Sequence, residues 1–230
     1  MSRQVLWHGG AGGHDAESLA QALGAVAADE GLTTTTVTGP DGLRRAVGMA
    51  GEGDVVTVHA LHLRGTAPEA ARLRTEPPSG PDPADLDLVV DWVRRGGSLL
   101  ALHTAVVCFD GDDRWRRVCG GVWDWGTSWH PPVGSVRVRI EASDHPVVDG
   151  IDGFELTDEA YASLDLLDDV RPLASTEVDG VDQPLVWARS VGDGRVVTDL
   201  LGHDAASVDA PAHRRLLRQA LRWLRSGGAR

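Results

Sequence analysis

The sequence predicts an α/β fold, a doubly wound and mostly parallel sheet with an antiparallel extension, in one domain spanning residues 1–230. Three observations carry that reading. Short β-branched or apolar runs alternate with helix-period stretches from Val5 to Leu102, the order that builds a parallel sheet covered on both faces. Beyond that point the pattern changes to strict alternation of apolar and charged residues, the sign of strands with one wet face. A chain of 230 residues also buries roughly 72% of its unfolded surface, enough to need no staples.

Val5 to Trp7 opens a first strand, and the loop from His8 through Gly9, Gly10, Gly12 and Gly13 to His14 leads to Asp15, a good N-cap. The helix that follows carries Leu19, Ala20, Leu23 and Val26 on one stripe. Thr33 to Thr38 is β-branched and follows Gly31, so it is a second strand. Leu43, Val47 and Ala50 mark a short helix, and Asp54 to His59 a third strand. Thr75 to Pro83 is polar, proline-rich and non-periodic, and reads as a surface loop. Leu86, Val89, Val90 and Val93 then give a helix before the apolar run Ser98 to Leu102, which is too short for anything but a buried strand. Val136, Val138 and Ile140 alternate with Arg137, Arg139 and Glu141. The sequence leaves open whether that wet-faced strand meets a second copy in a homodimer. Pro184 to Arg189 and Gly194 to Leu201 flank Gly192-Asp193 as a hairpin. The last helix, Pro211 to Leu224, turns Leu217, Leu221 and Leu224 inward and Arg214, Arg218, Arg222 and Arg225 outward as a solvated face.

Composition excludes several functions. The net charge is -12, a field that repels polyanions and argues against nucleic acid and anionic membranes. All 22 basic residues are arginine, so a P-loop lysine and a Schiff-base lysine are both ruled out. Two cysteines, Cys108 and Cys119, are too few for a disulfide framework and read as buried thiols of a reducing compartment. With no long apolar run and no apolar leader, the expected location is the cytoplasm.

The most informative motif is Gly96-Gly97-Ser98-Leu99-Leu100-Ala101-Leu102-His103. It sets His103 at the carboxyl end of a central strand, where open α/β sheets bind ligands and where hydrolases expose a nucleophile on a sharp strand-to-helix turn. An imidazole there is a metal ligand, a general base or a polar anchor, not an acyl-transfer nucleophile. No G-x-S-x-G is present, and Cys108 lies five positions beyond the elbow; neither a hydrolase triad nor an amidotransferase nucleophile fits.

Histidines and acids gather at predicted strand ends. His103 and His203 read as functional, whereas His8, His59, His62 and His213 read as hydrogen-bonded packing residues. The glycine loop over the predicted crevice makes Gly9, Gly10 and His14 candidate ligand contacts, although it does not match G-x-G-x-x-G. Trp115, Trp123, Trp125 and Trp129 precede His130-Pro131-Pro132. Indole faces stack on sugar rings as readily as they cover a sheet, and Trp129 and His130 join the candidate ligand contacts. His14, His103 and His203, with Glu159, are ligand types suited to zinc or manganese, so a divalent metal is the one cofactor the residues suggest. No tight ligand spacing such as H-E-x-x-H accompanies them.

Ala101-Leu102-His103, Asp144-His145-Pro146-Val147-Val148-Asp149-Gly150, Asp158-Glu159-Ala160-Tyr161, Pro184-Leu185-Val186-Trp187, Gly192-Asp193-Gly194-Arg195-Val196 and Leu201-Gly202-His203-Asp204 resemble, in order and spacing, the ThuA-like (trehalose utilization) family. The resemblance covers nearly the whole chain. It implies a flavodoxin-type, class I glutamine-amidotransferase-like fold that has lost its cysteine nucleophile, and a role in disaccharide or keto-sugar catabolism. It also implies a site at His14, His103, Asp158, Glu159 and His203. The alanine at position 160 departs from the larger aliphatic residue usual there, a change that touches packing. Asp144-His145-Pro146 reads as a structural turn.

Two functions from different classes are therefore expected. The first is an enzyme acting on a sugar or keto-sugar ligand, as an isomerase, lyase or hydrolase, with Glu159 or His103 moving a proton beside a carbonyl, His203 and the Gly9 to Gly13 loop holding oxygens, and Asp158 completing the catalytic set. The second is a non-catalytic carbohydrate- or partner-binding module on a retired amidotransferase fold.

Overall fold

The computed structural model describes residues 2–10, 15–63, 82–141 and 144–227. Its centre is a nine-stranded sheet in which β1 (Arg3–Gly10), β2 (Thr33–Val37), β3 (Val55–Leu61), β4 (Ser98–Leu102) and β11 (Gly194–Asp199) lie in the order 2-1-3-4-11, all parallel. That is the flavodoxin strand order. The antiparallel extension continues from β11 through β10 (Val181–Val191), β9 (Pro172–Val178), β6 (Gly134–Ile140) and β7 (Phe154–Asp158). A separate small pair joins β5 (Gly121–Val122) to β8 (Asp165–Leu166).

The parallel strands bury both faces by alternation. Leu6, Val55, Leu100, Leu102 and Val197 point to one core, with Leu19, Leu23 and Val26 of α1 (Ala16–Asp29) and Leu217, Leu221 and Leu224 of α6 (Pro211–Arg225). Val5, Trp7, Val56, Val58, Leu99 and Ala101 point to the other, against α2 (Gly42–Met49), α3 (Pro83–Arg94) and α4 (Asp113–Cys119). Each fully buried Leu or Val contributes on the order of 2 kcal/mol by leaving water, so the two-sided sandwich needs no covalent staple. Both cysteines are buried and form no disulfide among the described residues, and the Cys108 thiol donates to the Ala60 carbonyl at 2.8 Å. Among the described residues no helix is long and apolar enough to cross a membrane.

Several local expectations change. The first strand extends through His8, Gly9 and Gly10, which pair with His59, Ala60 and Leu61 of β3; Gly9 and Gly10 belong to the strand, not to a loop. His14, Gly12, Gly13 and the stretch Thr75 to Pro81 lie outside the described residues. Pro83 opens α3 behind Asp82, whose carboxylate accepts from the Ala84 amide at 2.9 Å, because proline at the first helical position loses no hydrogen bond. The arginines of α6 do not form a simple solvated face. Arg218 Nε and Arg222 Nη2 each donate to Glu30 Oε1 at 2.7 Å, and Arg225 Nη1 donates to the Glu30 carbonyl at 3.2 Å. The stripe thus neutralises the carbonyl-rich end of α1 and the acid beside it. His145 is the structural turn expected, its Nδ1 accepting from the Val147 amide at 3.2 Å while its ring packs on Trp223.

Candidate active site

Three segments far apart in the chain meet at the carboxyl ends of β4, β11 and β7. His103 follows β4 directly, His203 lies in the loop before α5 (Ala205–Asp209), and Glu159 follows β7. The elbow exists as expected: β4 stops at Leu102, and His103 opens a 3-10 segment, His103–Gly111, with a left-handed φ of 47°. A non-glycine residue in that region is strained, and such strain gathers at functional sites. The elbow does not expose its side chain to solvent, however. His103 is fully buried, under Tyr161, His59 and His203.

The Leu200 carbonyl oxygen lies 2.8 Å from His103 Nδ1. A carbonyl can only accept, so Nδ1 carries a hydrogen and Nε2 is the atom presented to the site. Around Nε2 stand the Tyr161 hydroxyl at 3.1 Å and Glu159 Oε2 at 3.4 Å. The same Glu159 oxygen meets His203 Nδ1 at 3.3 Å, and its other oxygen meets His130 Nδ1 at 3.5 Å. One carboxylate is thereby ringed by three imidazoles.

Burial of Glu159 favours its neutral acid, but the hydrogen bond and charge of His103, with the charges of His130 and His203, outweigh burial and hold the carboxyl at about 2. Burial pushes the Tyr161 phenol well above its ordinary value, and Glu159 and Asp158 add to the effect, so its hydroxyl is a neutral donor. Exposure grades outward, from His103 at 0% through Glu159 at 12% and His203 at 24% to His130 at 38% of each side chain. His203 and His130 are therefore the imidazoles of the ring most open to solvent.

Asp158 is not part of this ring. Its Oδ1 accepts from the Glu159 and His203 amides at 2.7 and 3.2 Å. Its Oδ2 accepts from the Gly202 amide at 2.8 Å and from the Ser207 hydroxyl. With its lone pairs committed and the side chain buried, Asp158 positions Glu159 and His203 and has no acceptor left for a proton from substrate.

Aromatic rings form one wall. Trp123 packs edge-on against Tyr161 at 5.2 Å between centroids, and His130 lies 5.7 Å from Tyr161 and 6.0 Å from Trp123. Trp115 is core, its Nε1 donating to the Ala105 carbonyl. Trp129, 40% exposed, is tied through its backbone to Ala162, beside Tyr161. Gly9 and Gly10 connect to the cluster only indirectly, since His8 pairs with His59 and the His59 ring stacks on His103 at 5.9 Å. His14 lies outside the described residues. Tyr161, absent from the expected site residues, ends the Asp158-Glu159-Ala160-Tyr161 motif, and its spacing of two from Glu159 is the sequence signal for its place beside His103.

The donor set also suits a metal. His103 Nε2, a Glu159 oxygen and His203 Nδ1 lie within 4.8 Å of one another, the only such group of histidine, cysteine and acid ligands among the described residues. A tetrahedral zinc site with bonds of about 2.0–2.1 Å separates neighbouring ligand atoms by about 3.3–3.4 Å, which the 3.3 and 3.4 Å separations from Glu159 match. His103 has the outer bond typical of a metal-bound imidazole, its far N–H held by a backbone carbonyl. Glu159 is ionised, as a ligand must be.

A family model described as trehalose utilisation matches residues 3–224. Among solved structures, a ThuA-like protein from Parabacteroides merdae ATCC 43184 is similar with a TM-score of 0.73 at 16% identity, over 99% of this chain and 91% of that one. A ThuA-like protein from Bacteroides uniformis ATCC 8492 gives a TM-score of 0.62 at 17% identity, over 96% and 91% of the two chains. A cytoplasmic protein from Salmonella typhimurium LT2 gives 0.62 at 13% identity, over 96% and 99%. These likenesses bear on the fold. No curated protein matches the sequence.

Proposed function

The chain belongs to the ThuA family, described as trehalose utilisation, and from that premise we propose that it acts on a sugar or keto-sugar in carbohydrate catabolism at a centre made of His103, Glu159 and His203. The observation that carries the reading is the Glu159 carboxylate ringed by three imidazoles. A carboxyl held at about 2 is a poor proton acceptor near neutrality, where an effective base titrates. Glu159 therefore serves as a fixed anion, and the proton carrier is an imidazole. His203 is that carrier, because His103 is fully buried and His130 Nδ1 is already held 2.9 Å from the Pro131 carbonyl oxygen. It takes a proton from the carbon beside a sugar carbonyl. The Tyr161 hydroxyl donates to the oxygen on which charge develops, and Trp123 and His130 exclude water from that side.

In a metal-loaded form His103, Glu159 and His203 would instead hold a divalent ion such as zinc or manganese, and His203 would then serve as a ligand in place of its role as proton carrier. Such an ion, when bound, supplies polarisation of a carbonyl oxygen, a task for which this chain has no lysine. The protein is proposed to be cytoplasmic and to take a small sugar rather than nucleic acid or a membrane surface, which the net charge of -12 supports.

The test is turnover of a panel of oxidised disaccharides by protein purified without chelator or histidine tag, with elemental analysis of the same sample. Substrate loss that His103→Ala abolishes supports the enzyme. Sugar binding without any product overturns it in favour of a carbohydrate-binding module. Less than about a tenth of an equivalent of any transition metal, with activity indifferent to EDTA, leaves the imidazoles as organic acid-base groups.

A further inference from the structure

We propose that His213, buried behind the candidate site, is a doubly protonated imidazolium that positions His203 and Glu159 by balancing the buried carboxylates Asp199 and Asp158. The positioning role rests on the reading of His103, Glu159 and His203 as the working centre; the charge state does not.

Both nitrogens of His213 face acceptors. Nε2 lies 3.1 Å from Asp199 Oδ2, and Nδ1 lies 2.8 Å from the Ser207 carbonyl oxygen. Either neutral tautomer turns a lone pair toward one of these oxygens, whereas the imidazolium donates to both. Neither His213 nor Asp199 is exposed at all, and an isolated charge in such a place is costly. The groups that face His213 are Asp199 from β11, Ser207 from α5 and, one hydroxyl further, Asp158 from β7. Burial alone lowers the His213 pKa, but Asp199, Asp158 and the Ser207 carbonyl outweigh it and raise the value.

The consequence lies in the loop after β11. Asp199 Oδ1 accepts from the Leu201 amide at 3.0 Å. The Ser207 hydroxyl, 3.2 Å from His213 Nδ1, donates to Asp158, and Asp158 accepts from the Gly202, His203 and Glu159 amides. Between these anchors the Leu200 carbonyl holds His103 and the Gly202 carbonyl holds His59 Nε2 at 3.0 Å. Each member of the candidate centre is thus oriented by a backbone group whose place depends on Asp199 or Asp158. His213 is the cation set against both of these buried side chains, directly at Asp199 and through the Ser207 hydroxyl at Asp158.

Two measurements test this on the full chain. Imidazole nitrogen NMR of the wild-type protein should show both ring N–H groups of His213 persisting at a pH well above the ordinary histidine range; a single N–H there, with the proton on Asp199 instead, overturns the imidazolium. For positioning, zinc affinity is compared between wild type, His213→Gln and the Asp199→Asn/His213→Gln double variant, with circular dichroism confirming the fold. We expect at least about a tenfold loss in His213→Gln, the size typical of outer partners of metal ligands, and partial recovery in the double variant, which removes both charges together. Unchanged affinity in a folded His213→Gln overturns positioning, and if that variant does not fold the double variant is read alone, wild-type affinity there again overturning it. If wild-type protein takes up no zinc, the metal reading fails by itself. The His203 ring titration then serves as the readout, displaced in His213→Gln if the proposal holds and superimposable on wild type if it does not.

Discussion

His103 Nδ1 is 2.8 Å from the Leu200 carbonyl oxygen, and that bond decides which end of the imidazole works. His103→Asn separates the two ends. Asparagine keeps a donor near the position of Nδ1, tolerates the left-handed φ of 47°, and offers nothing where Nε2 stood. Turnover should fall by at least about a hundredfold while the folded state survives, as judged by thermal unfolding. Retained turnover in this variant would mean that Nε2 carries no chemistry.

Glu159 sets the acid behaviour of the site. Its folded value of about 2 lies below the ordinary 4.5, so the stabilisation it gives is present above about pH 4.5 and lost as pH falls toward about 2. At the rate of about 1.4 kcal/mol per unit, the effect is at most about 3.5 kcal/mol. Glu159→Gln should flatten the decline of urea midpoints across that window. An acid limb identical to wild type would show that the three imidazoles do not hold the carboxylate ionised.

Asp158 and Glu159 are neighbours in sequence with opposite fates, which explains what the sequence could and could not reveal. The doubly wound sheet was legible because runs such as Leu99 to Leu102 and the stripe of α1 are read locally, by period. So was the elbow at His103, which needs only a strand end. The division of labour between two adjacent carboxylates was not legible, since it depends on where the Gly202 and His203 amides arrive from 44 and 45 residues away. The arginine stripe of α6 looked solvated for the same reason: its partner Glu30 lies 188 to 192 residues earlier. Local pattern reports which face is polar, not what meets it.

Asp158→Asn tests that division. The amide nitrogen would face one of the backbone donors now bound by a carboxylate oxygen, leaving a buried donor unpaired. We expect a loss of about 2–4 kcal/mol in chemical denaturation. A change below about 0.5 kcal/mol would show that the carboxylate is not holding the loop.

Gly9 and Gly10 both have positive φ, 99° and 108°, yet only one is sterically fixed. A Cβ on Gly10 would lie 2.2 Å from the Leu61 carbonyl oxygen, whereas one on Gly9 meets nothing within 4 Å. Gly9→Ala should cost about 1 kcal/mol from backbone strain alone, and Gly10→Ala more than about 2 kcal/mol because β1 must move away from β3. Equal costs would refute the close approach. If Gly9→Ala also leaves sugar affinity unchanged, the glycine pair serves the strand and not the ligand.

Tyr161 separates packing from chemistry most cleanly. Its ring touches His103 at 4.7 Å and Trp123 at 5.2 Å between centroids, contacts that Tyr161→Phe preserves. Its hydroxyl, 3.1 Å from His103 Nε2, can donate there only while that nitrogen carries a lone pair. Once Nε2 holds a proton or a metal, the hydroxyl must turn to another acceptor, the role proposed for it toward a sugar oxygen. Tyr161→Phe should therefore change stability by no more than about 1.5 kcal/mol and leave KM nearly unchanged, while kcat falls by about a hundredfold or more, the usual cost of one donor to a developing oxyanion. Should KM rise with kcat intact, the hydroxyl binds the ground state and the transition state equally, and its role is recognition.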